Sequence, residues 1–331
     1  MMKRTVRNIF MVIVAAGLIT AVSLHFRKSR ETSFSLQDTG KLTRIELRTD
    51  TSRLLLEKKD GRWLVNRQFP VRKEAVKYML HTLEKIEIKS AVSGKALQEV
   101  LDDTAAQTVQ VRCYRHLLPV RSFRFILTTR NPWGNVMSKP GSKHYFTGYV
   151  PGDETLTGYP FTTNLYYWRS HEVFHFLPGE VQEVRLLYLQ HPEKSFEAGT
   201  DTSGHWFFRL FQGDIPPDVS IDTSRIQRYL SYFQALSFDD FAWRIPAAKR
   251  VKIMQQPALY LLEIISDSGD TIRIRTIPRK PDTAPEGTGT PSFDPDITWA
   301  FIEPLHDLVI LKYYRIDTFI KEPEYFYTRR K

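Results

Sequence analysis

The stretch Lys41-Leu42-Thr43-Arg44-Ile45-Glu46-Leu47 returns about one domain length later as Glu180-Val181-Gln182-Glu183-Val184-Arg185-Leu186. Leu42, Ile45 and Leu47 coincide with Val181, Val184 and Leu186, and polar or charged residues fill most positions between. That mixture suits a half-buried strand, one face on a core and the other in water. A turn glycine then leads into an aromatic strand in both places, Gly61-Arg62-Trp63 and Gly204-His205-Trp206. Next, Val76, Leu80, Leu83 and Ile86 repeat the spacing of Ile226, Leu230, Phe233 and Leu236, one apolar helical stripe per copy. Asp222 or Thr223 would cap the second helix. Finally Leu165-Tyr166-Tyr167-Trp168-Arg169 resembles Leu311-Lys312-Tyr313-Tyr314-Arg315. Four matches in order, at offsets of roughly 139 to 150 residues, predict one module written twice.

Working outward, the chain of 331 residues is long enough for two domains. The expected fold is α+β. A transmembrane helix is followed by two tandem, similar modules of mainly antiparallel sheet, each with one amphipathic helix. Residues 1–30 form a tail and anchor, 31–175 the first module and 176–331 the second, with a proline- and glycine-rich mobile loop at 278–295. The anchor rests on residues 9–26, an apolar run flanked by Lys3, Arg4 and Arg7 and by Arg27, Lys28 and Arg30. Eighteen residues reach about 27 Å, just enough for a bilayer core of about 30 Å. A cleaved signal peptide is the rival reading. The anchor reading places the protein in a bacterial inner membrane, single-pass, with its body in the periplasm. One cysteine, Cys113, excludes an internal disulfide and fits an oxidising compartment.

The formal charge of +10 invites a nucleic-acid reading until it is divided. Residues 1–30 hold six basic and no acidic side chains, leaving +4 on the remaining 301. Gross charge therefore gives no argument for nucleic acid as a partner.

The anchor, the paired strands Thr43–Leu47 and Leu54–Lys58, the segment Asp60-Gly61-Arg62-Trp63-Leu64-Val65-Asn66 and the helix of Val76, Leu80 and Leu83 together resemble the bacterial domain of unknown function 4340 family. The resemblance runs from about residue 34 onward and is strongest over 41–90. It implies an envelope protein beside gliding-motility or related ABC transporter components, and it brings no catalytic residues with it.

One motif points to chemistry. His171-Glu172-Val173-Phe174-His175 satisfies His-Glu-x-x-His, in which two histidines one helical turn apart hold zinc and the glutamate activates water. Phe176-Leu177-Pro178-Gly179 stops any helix within a turn. In an extended strand the two histidines would stand about 13 Å apart, too far for a common zinc. The expectation is a packing segment, with zinc peptidase as the alternative. The paired acids Asp102-Asp103 and Asp239-Asp240 suit caps and turns rather than catalysis. Tyr166, Tyr167 and Trp168 form a candidate interaction surface, and a glycan- or peptidoglycan-binding module is the other alternative. The sequence is thus read as a non-enzymatic, membrane-anchored protein without cofactor, an accessory or interaction subunit of an envelope or ABC transport assembly.

Overall fold

The computed structural model describes residues 32–128, 134–153, 159–281 and 293–329. They fall into two compact units, the first ending at Ser170 and the second beginning at His171. Strand outweighs helix, 42% against 22%. This corrects the α+β expectation: the fold is mainly β. Among the described residues each unit has three named helices rather than one amphipathic helix.

In the first unit the elements run β1 (Arg44–Arg48), β2 (Arg53–Lys59), β3 (Arg62–Val65), β4 (Phe69–Pro70), α1 (Lys73–Lys85), β5 (Glu87–Val92), α2 (Gly94–Leu101), β6 (Gln107–Arg115), β7 (Leu118–Leu127), β8 (Val136–Ser138), β9 (Tyr145–Tyr149) and α3 (Leu165–Trp168). They build one antiparallel sheet in the order β4-β3-β2-β1-β6-β7-β8-β9-β5. Alternation decides the faces. Ile45, Leu47, Leu54, Leu56, Val109, Val111, Phe123 and Phe125 turn inward and are buried with Val76, Met79 and Leu83 of α1. The opposite face is half covered. Under α2, Val92, Val100, Ile126 and Val136 form a small second core, which leaves β3-β2-β1-β6 open.

The second unit has β10 (Glu172–His175), β11 (Val181–Tyr188), β12 (Phe196–Thr200), β13 (Trp206–Leu210), β14 (Val219–Ile221), α4 (Thr223–Leu230), β15 (Ala235–Ser237), β16 (Asp240–Phe241), α5 (Ala247–Met254), β17 (Tyr260–Ser266), β18 (Thr271–Ile277), β19 (Ile297–Glu303), β20 (Asp307–Lys312), α6 (Tyr313–Ile316) and β21 (Tyr327–Arg329). Its main sheet runs β13-β12-β11-β17-β18-β19-β20-β16, and β10·β15 and β14·β21 form separate two-stranded pieces. Matching β1, β2, β3, β6, β7, β8, β9 and β5 to β11, β12, β13, β17, β18, β19, β20 and β16 makes the two strand orders coincide. The first sheet has β4 in addition. The cores correspond too. Tyr229 of α4 sits against Phe196, Phe233 and Phe326, and its hydroxyl donates to the Phe319 carbonyl at 2.8 Å. On the other face Ile253 of α5 packs with Ile277 and Leu308.

Two local expectations change. The stripe Ile226, Leu230, Phe233, Leu236 is helical only to Leu230, where the Ser231 hydroxyl turns back onto the Arg228 carbonyl at 2.7 Å. Phe233 then enters the aromatic cluster against Phe319, and Leu236 lies in β15, paired with β10. Asp222 is the cap, accepting from the Ser224 N–H at 3.0 Å. Secondly, the structural counterpart of Trp168 is Phe326 rather than a residue of 311–315. The Arg72 N–H donates to the Trp168 carbonyl at 2.8 Å and the Asp222 N–H to the Phe326 carbonyl at 2.9 Å, each just before α1 or α4 begins. The bridge Val71↔Arg169 likewise answers to Ile221↔Tyr327.

The membrane expectation is corrected as well. Among the described residues no helix is long and apolar enough to cross a membrane. The longest, α1, has 13 residues, about 20 Å against a bilayer core of about 30 Å. The described helices thus give no support to a single-pass inner-membrane protein with a periplasmic body. Residues 9–26, on which that reading rested, lie outside the described residues. Most of the loop read at 278–295 does too; at its base Arg279 pairs with Asp294.

Trp168 is fully buried, and its indole N–H donates to the Thr162 carbonyl at 2.8 Å. Trp168→Ala removes both ring and bond, and urea unfolding should report a loss of about 3–5 kcal/mol.

Candidate functional site

The residues singled out from sequence do not gather at one site, and several of them pack or cap. His171 stacks on Phe238 with centroids 4.9 Å apart and meets Phe241 edge-on at 5.5 Å. Glu172 and His175 lie in β10, where Phe174 is the buried member, in contact with Phe176 and Phe319. A strand cannot bring two histidines of this spacing onto one metal. Among the described residues no three His, Cys, Asp or Glu side chains gather as a metal site. Of the interaction trio, Trp168 is core. Tyr167 lies edge-on to Trp168 at 5.0 Å and under the Arg72 guanidinium at 4.7 Å, and Tyr166 is half-buried beside Arg169. Asp102 caps α2, while Asp103 accepts from the Ala105 N–H and the Thr128 hydroxyl. Asp239 holds Arg315 and the Lys312 N–H.

Two features stand out that sequence reasoning did not assign. The first is the edge of the second sheet. Hydrogen bonds from the Asp201 N–H to the His205 carbonyl and from the Phe211 N–H to the Ser195 carbonyl set the parity of the β12·β13 ladder. Phe207 and Arg209 therefore bond inward to β12, whereas the backbone N–H and C=O of Trp206, Phe208 and Leu210 point to the free edge. Among the described residues nothing pairs with them. In the first unit the same positions are closed. The Trp63 carbonyl accepts from the Val71 N–H at 3.2 Å, and the Val65 carbonyl accepts from the Gln68 N–H at 3.1 Å. The covering segment there is β4. Its counterpart β14 pairs with β21 instead, and the exposed Phe211-Gln212-Gly213-Asp214 and Pro216-Pro217 intervene between β13 and β14. The two prolines have no N–H to offer an edge. Trp206, at the start of β13, and Phe211, just past its end, are 38% and 46% exposed.

The second feature is the open face of each sheet. In the second unit it carries an ion-pair ladder across six strands. Arg209 meets Glu197 at 3.0 Å, Glu197 meets Arg185 at 3.4 Å, and Arg185 meets Glu263 at 3.8 Å. The chain continues through Arg273, 2.6 Å from Glu263 and 3.4 Å from Glu303. Each link joins direct cross-strand neighbours, the arrangement in which opposite charges help a sheet. Among the described residues the strands β3-β2-β1-β6 of the first unit have only the separate pairs Arg53–Glu46 and Arg67–Glu57.

No protein-family model matches the chain, and no match was found among curated proteins or among solved structures.

Cys113 faces the first core opposite Ile45, and burial pushes its thiol up to about 12 against the opposing pull of Arg121 and Lys139. Lys139 is itself held down to about 8 by burial and by Arg121. With the folded thiol raised, its contribution is complete below the unfolded value of about 8.5 and is lost as pH rises toward the folded one. Cys113→Ala should therefore flatten the fall of Tm between about pH 8.5 and 10.5. The native thiol should also resist a disulfide reagent at pH 8 until the protein is unfolded.

Proposed function

We propose that the protein is a non-enzymatic binding protein built from two copies of one β-sheet module. The second copy takes up an extended segment of a partner protein along β13. The observation carrying this reading is the row of unpaired backbone groups at Trp206, Phe208 and Leu210, at positions where the first copy supplies its own covering segment. An added antiparallel strand would satisfy three N–H and three C=O groups, the recognition mode called β-augmentation. Specificity would come from alternate side chains. Trp206 and Phe211 offer exposed aromatic surface at the two ends, and Arg209 and half-buried Phe207 lie on the solvent-side face. Open edges of this kind invite non-specific pairing unless blunted or occupied, which favours a dedicated occupant. The non-enzymatic reading draws support from the packing of His171 on Phe238 and from the placing of Glu172 and His175 in strand β10 rather than on a helix. ABC transporter components, the partners that the sequence resemblance implies, are the first to test.

Leu210→Pro deletes an outward N–H while leaving the ladder to β12 intact. With a photoreactive phenylalanine analogue at position 206 of the full chain, cross-linking in cells should join one partner segment to β13. Leu210→Pro should lower the yield at least tenfold, with little change in the melting temperature. Yields equal in the two proteins, or no adduct, would count against the edge. A cross-link to a second copy of the chain would replace the partner by self-association.

A further inference from the structure

We infer that the open face of the first sheet, over β3-β2-β1-β6, is a second binding surface, separate from the edge and fitted to an acidic segment of a protein. The same strand order carries a different charge balance on its open face in the two units. On these four strands the outward positions of the first unit hold Arg44, Arg48, Arg53, Lys59, Arg62 and Arg112 against Glu46 and Glu57. On the equivalent strands of the second unit they hold Arg185 and Arg209 against Glu183, Glu197 and Glu263.

Cross-strand register sharpens the contrast. In the second unit every charged pair of the ladder sets a cation opposite an anion. In the first, Arg44 faces Glu57 and Arg112 faces Glu46, but Arg48 faces Arg53 and Lys59 faces Arg62, and like charges directly opposite one another destabilise a sheet. Glu46 is already taken, by Arg53 at 2.8 Å and by the Tyr114 hydroxyl at 3.4 Å, and Glu57 by Arg67 at 2.8 Å. Arg48, Lys59, Arg62 and Arg112 are left without an ion pair among the described residues. The second unit demonstrates that this sheet can neutralise its own face. The first keeps an unbalanced one at a cost in stability, as expected where the compensating charge belongs to another molecule.

The surface also has relief and apolar ground. Arg53, Leu55, Asn66 and Arg67 line a shallow depression, and Leu64 stands next to Glu57 across the strands. Arg44 lies 4.0 Å over the Tyr114 ring, a preset guanidinium plane at the centre of the patch. Such fixed arginines suit bidentate capture of carboxylates.

The test uses the full chain and a fluorescein-labelled twelve-residue oligoglutamate, with binding read by anisotropy. Binding should be measurable at low salt and weaken steeply between 50 and 300 mM, as unscreened surface charge requires. The triple variant Arg48→Gln/Arg62→Gln/Arg112→Gln should weaken it at least tenfold. Arg273→Gln, in the second unit's ladder, should leave it within twofold. Thermal melting checks that the variants are folded, and the single variant Arg48→Gln, at an exposed position, gives a smaller loss in the same direction if the triple variant misfolds. Equal losses from the first-unit and second-unit variants, or no binding at low salt, would overturn the inference. Tighter binding of a twelve-nucleotide single-stranded DNA than of oligoglutamate, by tenfold or more, would overturn it in favour of nucleic acid.

Discussion

Strand alternation is the constraint on which the rest of this molecule depends. Every second residue of a strand goes to the core, so Ile45 and Leu47, Val184 and Leu186 are committed inward, and Arg44, Glu183 and Arg185 are left on the opposite face, where Glu46 is covered by Arg53 and Tyr114. A one-residue slip would exchange the two sets and bury the charges. Antiparallel pairing fixes the register and one helix, α1 or α4, closes each core. What remains variable is how each sheet finishes its edge and its open face.

The two units finish those surfaces differently. The first seals its edge with β4 and leaves its face rich in unpaired arginine. The second neutralises its face through Arg185, Glu197, Glu263 and Arg273, while its edge at β13 stays unpaired. One strand order thus carries two surfaces of unlike chemistry. On the reading proposed above, the two surfaces take up two different segments. Exposed pairs in such a ladder are each worth about 0.2–1 kcal/mol, so its importance lies in cancelling charge as much as in stability.

Period-two patterning is local, so sequence alone pointed to strands, and the segments read as strands from Leu42 and Val181 contain most of β1 (Arg44–Arg48) and most of β11 (Val181–Tyr188). It overestimated helix. Phe233 and Leu236 continue a helical spacing on paper, yet aromatic contacts and pairing with β10 claim them once the chain has turned at Ser231. The match of Leu165–Arg169 to Leu311–Arg315 was compositional. The backbone bonds from Arg72 and Asp222 identify Phe326 as the partner of Trp168, a relation between residues far apart in the chain. Edge and face were illegible for the same reason. Whether Trp206 has a neighbouring strand, or Arg48 an opposing anion, depends on pairings that no local window contains. The His-Glu-x-x-His spacing shows the converse, a motif whose chemistry exists only on a helix and which here lies in a strand.

The central claim is that β13 is an open edge awaiting a strand. Residue-resolved amide hydrogen exchange on the free protein tests it directly. An open edge predicts alternation, with fast exchange at Trp206, Phe208 and Leu210 and slow exchange at Phe207 and Arg209, which bond to β12. Uniformly slow exchange from Trp206 to Leu210 would mean that the edge is already covered and would contradict the account.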